Sequence, residues 1–170
     1  LFRSRFELLV DEALITGSID LLLKEDEAQN IDAAEVIDFK SMEMSDKLEE
    51  FDWREMSLQV QLYSRAAKEV IGENAETGYV NTLKDNNRVK VPVDELSVKN
   101  AIGAIEWAVK GILQEDFPMR ACSANCAKCD YRALCRQERE EFKRKELPPV
   151  INTPVGERVI AAFEEEDGEL

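Results

Sequence analysis

The placement of charge in two short alternating stretches constrains this chain more than any other feature. Ala13-Leu-Ile-Thr-Gly-Ser-Ile-Asp-Leu-Leu-Leu23 and Glu35-Val-Ile-Asp-Phe-Lys-Ser41 both read as β-strands. In the first, Ile15, Gly17, Ile19, Leu21 and Leu23 share one face and Thr16, Ser18 and Asp20 the other. Asp20 is therefore expected to point away from the apolar side, and Gly17 predicts a bulge or a close approach by another backbone. In the second, Asp38 and Lys40 fall on one face, with Ile37 and Phe39 on the other. An acid and a lysine two residues apart on a buried face are costly unless they pair or bind something.

The next segment changes period. Arg54 to Ile71 reads as a helix closed by Gly72, and Gln59 and Tyr63 lie four apart on a face shared with Ala66, Ala67 and Val70. Each offers a polar tip beside an apolar stripe, suited to a phosphate or base contact. Glu25 to Ala34 is polar and predicts a long hairpin connection; Glu43 to Asp52 is acidic and predicts a mobile loop beside the site. Gly78 to Leu83 and Arg88 to Val93 read as strands joined by the turn Lys84-Asp-Asn-Asn87. Asp94 then caps a helix to about Leu113, with Val98, Ala101, Ile102, Ile105, Ala108, Val109 and Ile112 as its apolar stripe and Trp107 off it. The order is strands, helix, strands, helix. At 170 residues and 44% hydrophobic, the chain is long and apolar enough for one core. No repeat or Gly/Ser linker divides it.

Two acids and a lysine at the ends of adjacent strands have a chemical logic. Mg2+ takes oxygen ligands and keeps several waters, so two carboxylates and a substrate phosphate suffice to hold it. Such an ion polarises a phosphoryl oxygen and lowers the pKa of a bound water. Lys40 can orient that water and offset charge in the transition state.

All four cysteines fall within Cys122-x3-Cys126-x2-Cys129-x5-Cys135, and histidine is absent. Any soft-metal site here is all thiolate. With no secretory or transmembrane stretch visible, a cytoplasmic setting is expected, where such a run binds metal more often than it forms disulfides. Structural zinc favours two close pairs separated by a longer loop, which this packed spacing fits poorly. Iron-sulfur clusters also take four thiolates from compact runs.

Taken together, the order Gly17-x-x-Asp20, Asp38-x-Lys40, Gln59-x-x-x-Tyr63 resembles the RecB-like branch of the PD-(D/E)XK nuclease superfamily, from about Leu14 to Cys135. That branch includes nuclease domains of recombination helicase-nucleases and of CRISPR adaptation nucleases. The resemblance implies an α/β, restriction-endonuclease-like core: a central mixed sheet flanked by helices, with a C-terminal cysteine cluster segment. It implies Asp20, Asp38 and the Phe39 carbonyl as ligands of Mg2+ or Mn2+, Lys40 as the catalytic lysine, and Gln59 and Tyr63 as the substrate-side pair. Cys126, Cys129 and Cys135, with Asp130-Tyr131-Arg132 between them, look like the iron-sulfur staple of several relatives. That makes a 4Fe-4S cluster the expected cofactor and zinc its alternative. In those relatives the fourth cysteine often lies far upstream; here either Cys122 substitutes or the partner lay in a segment this chain lacks. Relatives also carry a helix before the first strand with a Glu or His ligand. Here Leu1 leads straight into the strand Arg3–Val10, and Glu7 is a poor substitute, so the chain is expected to be a fragment.

The implied activity is that of a metal-dependent deoxyribonuclease, expected to be an exonuclease on single-stranded or unwound DNA in repair or recombination. It would be the nuclease module of a UvrD/Rep-type helicase, with DNA and a helicase domain or subunit as partners and no membrane. The alternative is a non-catalytic DNA-binding or assembly module of the same fold. Residues 1–146 would form the nuclease domain. Residues 147–170 would be a flexible acidic tail, and Arg136 to Glu146 a charged helix before it. Net charge argues against tight binding. With 36 acidic and 22 basic residues the chain carries −14, which repels DNA overall. A local basic cluster at Arg120, Lys128, Arg132, Arg136, Arg139, Lys143, Arg144 and Lys145 softens this. Weak intrinsic affinity, with a partner delivering the strand, is the expectation.

Overall fold

Alternation builds the first hairpin. In the computed structural model, which describes residues 2–24, 34–43, 50–116, 129–131 and 150–154, β1 (Phe2–Val10) and β2 (Ala13–Lys24) pair antiparallel. Phe6, Leu8 and Val10 are buried, whereas Arg5, Glu7 and Leu9 are exposed, as a period of two requires. β3 (Ala34–Lys40) adds to β2 antiparallel through Leu21↔Ile37 to Lys24↔Ala34. β4 (Ala75–Thr82) then lies parallel to β3, and β5 (Asn87–Val91) closes the edge antiparallel to β4. The sheet order is β1-β2-β3-β4-β5. One parallel pair among antiparallel neighbours makes a mixed sheet.

That parallel pair needs a crossover. It is supplied by α1 (Glu50–Ala66), which continues as a π-helical turn over Ala67–Ile71 and stops at Gly72, φ 82°. Trp53, Met56 and Val60 of α1 pack on Val80 and Val91 of the sheet. Further along, Tyr63, Ala66 and Ala67 join Phe6, Leu22 and Val36 in the larger apolar cluster. α2 (Glu95–Leu113) follows, with the Asp94 carboxylate accepting from the Ser97 amide at 3.0 Å. This satisfies one of the free amides of the first turn. The arrangement is the restriction-endonuclease-like α/β fold, a five-stranded mixed sheet flanked by helices.

Several boundaries differ from those expected of the sequence, each for a physical reason. α1 begins at Glu50, so the last three residues of the expected acidic loop are helical; acids are favoured in a first helical turn. β4 begins at Ala75 rather than Gly78, because its parallel partner already offers hydrogen bonds at Ala34↔Ala75. β5 stops at Val91 because Pro92 has no N–H to give a ladder. On α2 the buried residues are Ser97, Ala101, Ala104 and Val109, while Ala108 and Ile112 face solvent. The small side chains let α2 approach Leu58 of α1, with Ile151 in the same cluster. Gly17 holds neither a bulge nor an approaching backbone. It sits opposite Phe6, whose ring would lie 2.7 Å from a Cβ at that position.

Gln61 anchors a distant piece of chain. Fully buried on α1, its amide donates to the carbonyls of Pro92 (2.9 Å) and Asn152 (2.8 Å). Asn152 in turn donates to Ser97 Oγ at 2.9 Å. The expected connection at 25–33, the three cysteines other than Cys129, and the expected tail helix and acidic terminus lie outside the described residues.

The helix-on-sheet contact is close at Gly78, where a Cβ would meet Val60 Cγ1 and Val93 Cγ1, each at 2.6 Å. Gly78→Ala is expected to destabilise the fold by about 1–3 kcal/mol through overpacking. Urea unfolding followed by circular dichroism would read this as a lower midpoint with an unchanged slope; an unchanged midpoint would refute the packing.

Candidate active site

The ladder between β2 and β3 starts at Leu21↔Ile37, so Asp20 and Asp38 stand just past its end. β3 stays paired to β4 there, through Asp38↔Val80 and Phe39↔Asn81. Asp20 occupies the gap on the β2 side, its Oδ2 accepting from the Phe39 amide at 3.1 Å. Two acids thus meet where two strands part.

Asp38 is the most enclosed charge in the group, 1% exposed. Its Oδ2 lies 2.9 Å from Lys40 Nζ, yet apart from that ammonium neither carboxylate oxygen has a hydrogen-bond donor among the described residues. Burial pushes the Asp38 pKa up, Lys40 opposes by hydrogen bond and charge, and the nearby Asp20 pushes it further up. Desolvation wins over the ion pair.

Lys40 is shared between β3 and α1. It pairs with Asp38 and donates to Gln59 Oε1 at 2.6 Å. Gln59 Nε2 then donates to the Tyr63 hydroxyl, also at 2.6 Å. The four-residue spacing of Gln59 and Tyr63 puts both on one face of α1, and the helix turns that face toward the end of β3. Burial raises the Tyr63 pKa, Gln59 lowers it, and the negative charges of Asp38 and Asp20 raise it further. Its phenol therefore stays protonated at neutral pH. Behind it, Phe6 meets the Tyr63 ring edge-on, 6.0 Å between centroids at 73°.

All five side chains singled out from the sequence are therefore gathered by one continuous set of contacts. Asp20 reaches the backbone of Phe39; Asp38, Lys40, Gln59 and Tyr63 form a chain. Three contributing residues carried no sequence assignment. Phe6 fixes Tyr63 and fills the space over Gly17, and the signal for it was a glycine in a strand that faces an aromatic. Arg3 and Arg5 line an open recess with Ser18 and Asp20, and the signal was Arg-x-Arg along one face of a strand. Glu7 is exposed on β1. Cys129 is exposed; Cys122, Cys126 and Cys135 and the basic cluster beyond Asp116 lie outside the described residues.

The donor set suits a hard divalent cation. A buried carboxylate with unsatisfied oxygens, a second carboxylate beside it and the Phe39 carbonyl are oxygen donors of the kind Mg2+ and Mn2+ take, with water completing the shell. Among the described residues no group of three or more His, Cys, Asp or Glu side chains gathers as a metal site, so this is a two-carboxylate arrangement. No helix among the described residues is long and apolar enough to cross a membrane.

The model of the PD-(D/E)XK nuclease superfamily matches residues 3–136. No curated protein matches. A solved structure described as the crystal structure of SSO0001 is similar at 16% identity and a TM-score of 0.44, over 80% of this chain and 59% of that one.

The pKa of Asp38 has a sign that can be measured. Because the folded state holds its proton more tightly than the unfolded state, stability falls as pH rises above the ordinary carboxylate value and through the raised one. In EDTA, Asp38→Asn is expected to raise the Tm by a few degrees at neutral pH, with the gain over wild type shrinking to nothing in acid. Added Mn2+ should then stabilise wild type and not the variant. A variant less stable than wild type at neutral pH in EDTA would refute the uncompensated carboxylate.

Proposed function

This chain belongs to the PD-(D/E)XK nuclease superfamily, and from that premise we propose that it hydrolyses DNA phosphodiesters with Mg2+ or Mn2+. The carrying observation is the link from the orphaned Asp38 carboxylate through Lys40 and Gln59 to Tyr63. Asp20, Asp38 and the Phe39 carbonyl would hold the ion, whose chemistry is to polarise a phosphoryl oxygen and acidify water.

The protein's own groups do the rest. Lys40 holds the attacking water and meets the charge that develops on the phosphoryl oxygens. Gln59 fixes the lysine's position, since its carbonyl oxygen takes one of the three ammonium protons. Tyr63, kept neutral by burial and by the two acids, can receive a hydrogen bond from Gln59 and give one to a phosphate oxygen. With the acids and lysine at one end of the sheet and the polar helix face over them, a strand has room to enter from the open side at Asp20.

The finer reading is exonucleolytic cleavage of single-stranded or unwound DNA in repair or recombination, in the service of a UvrD/Rep-type helicase in the cytoplasm. The net charge of −14 supports a nuclease that receives its strand from a partner rather than capturing duplex itself. The cysteines at 122, 126, 129 and 135 would hold a 4Fe-4S cluster that staples the C-terminal segment.

End-labelled single-stranded DNA with Mn2+ tests the activity. Wild type is expected to cleave, EDTA to stop it, and Lys40→Ala to lower the rate about 10²–10³-fold, the effect typical of removing one charge-stabilising donor. Cleavage unaffected by Lys40→Ala would refute the assignment; no cleavage by wild type with Mn2+ would favour the non-catalytic module. For the cysteines, the purified protein should contain iron and acid-labile sulfide in nearly equal amounts, both absent from Cys135→Ser. Zinc without sulfide would refute the cluster.

A further inference from the structure

Beside the metal-facing group, on the free edge of the sheet, lies an open recess of about 480 Å³ lined by Arg3, Arg5, Ser18 and Asp20. The geometry points to this recess as a clamp for the sugar-phosphate backbone of a single-stranded nucleic acid, with Arg3 and Arg5 as its phosphate-binding residues. The inference rests on the nuclease reading and extends it by assigning where the strand flanking the cleaved bond runs.

Three observations carry it. First, the two arginines are uncommitted. Several cations elsewhere are neutralised locally, Lys24 by Glu73, Lys40 by Asp38, Arg65 by Glu69 and Arg88 by Glu35. Arg3 and Arg5, both exposed, have no ion-pair partner among the described residues. In a chain of net charge −14, a pair of free arginines on one recess is a local reversal of sign. Second, Asp20 belongs to both places. It lines the recess, and its carboxylate receives the Phe39 amide one residue from Asp38. Its charge also acts on Asp38 and Tyr63. A phosphate at the metal-facing group is thus one step from a phosphate over β1. Third, the backbone at Arg3 has φ 49°, left-handed for a non-glycine residue inside a strand. This conformation costs free energy, and Arg3 still stays on the exposed face with Arg5.

The spacing suits the ligand. Arg3 and Arg5 share one face of an edge strand, about 6.6–6.8 Å apart along it, close to one nucleotide of an extended single strand. Guanidinium groups bind phosphate in a forked, two-point manner, and Ser18, opposite Arg5 on β2, adds a small hydroxyl to the recess. Nothing in the recess reads bases, so the clamp is indifferent to sequence.

The test is binding of a fluorescein-labelled oligothymidylate in Ca2+, across a salt series, for wild type, Arg3→Gln/Arg5→Gln and Arg88→Gln. Arg88 sits on β5 at the opposite edge of the sheet and controls for the removal of a positive charge. The double variant should bind roughly tenfold more weakly at physiological salt, and its log K against log[salt] slope should flatten by about 0.7 for each phosphate it no longer neutralises. Arg88→Gln should match wild type. With Mn2+, the double variant should raise KM more than it lowers kcat. An unchanged slope in the double variant, or an equal weakening in Arg88→Gln, overturns the clamp even where wild type cleaves. Clamp-dependent binding by a wild type that does not cleave overturns the nuclease reading and leaves the clamp standing. Urea midpoints near wild type for all three proteins exclude misfolding as the cause.

Discussion

Everything near the candidate site answers to one unfavourable fact, a carboxylate at Asp38 sealed from water and met by a single ammonium. A buried anion without enough donors is expensive, and among the described residues none but Lys40 donates to it. The fold brings one lysine from the same strand, steadies that lysine with Gln59, and leaves the remaining oxygen capacity open. A purely structural acid at this depth would be expected to accept backbone amides, as Asp20 does from Phe39. The contrast is that one carboxylate accepts a backbone amide while the other, among the described residues, meets only an ammonium.

Much of this was legible in the sequence because the site is built from local periodicities. Asp38 and Lys40 share a face by strand geometry, and Gln59 and Tyr63 by helix geometry. Their order along the chain carried the resemblance to the superfamily. What could not be read was which partner each polar tip would choose. Gln59 and Gln61 are two residues apart with the same chemistry, yet one holds Lys40 and the other clamps Pro92 and Asn152. Only the packing of α1 on the sheet decides that. The Phe6–Gly17 contact was hidden for the same reason, since it depends on the β1–β2 register rather than on either strand alone. The buried stripe of α2 departs from simple periodicity at Ala108 and Ile112 because close helix packing selects the small residues Ala101 and Ala104 over larger neighbours.

Charge tells a similar story at larger scale. A count of −14 describes how the chain repels a polyanion from afar, where potentials sum. At contact distance the relevant quantity is which cations lack a partner, and along the sheet Lys24, Lys40 and Arg88 are already spent on neighbouring acids. Composition alone therefore understates what a single recess can attract.

The parallel pairing of β3 with β4 has a consequence for how such a site comes into being. β1, β2 and β3 are consecutive antiparallel neighbours, so both acids can be brought together by contacts near in sequence. Lys40 meets Gln59 across the same separation of 19 residues that lies between Asp20 and Phe39, but the helix that carries Gln59 is packed on Val80 and Val91, beyond the crossover. The two carboxylates therefore rest on the pairing of consecutive strands, whereas the Gln59–Tyr63 wall rests on the seating of α1 against β4 and β5. A change that loosened α1 from β4 and β5 would leave the acids together without the Gln59–Tyr63 wall, able to attract a cation but not to order a strand around it.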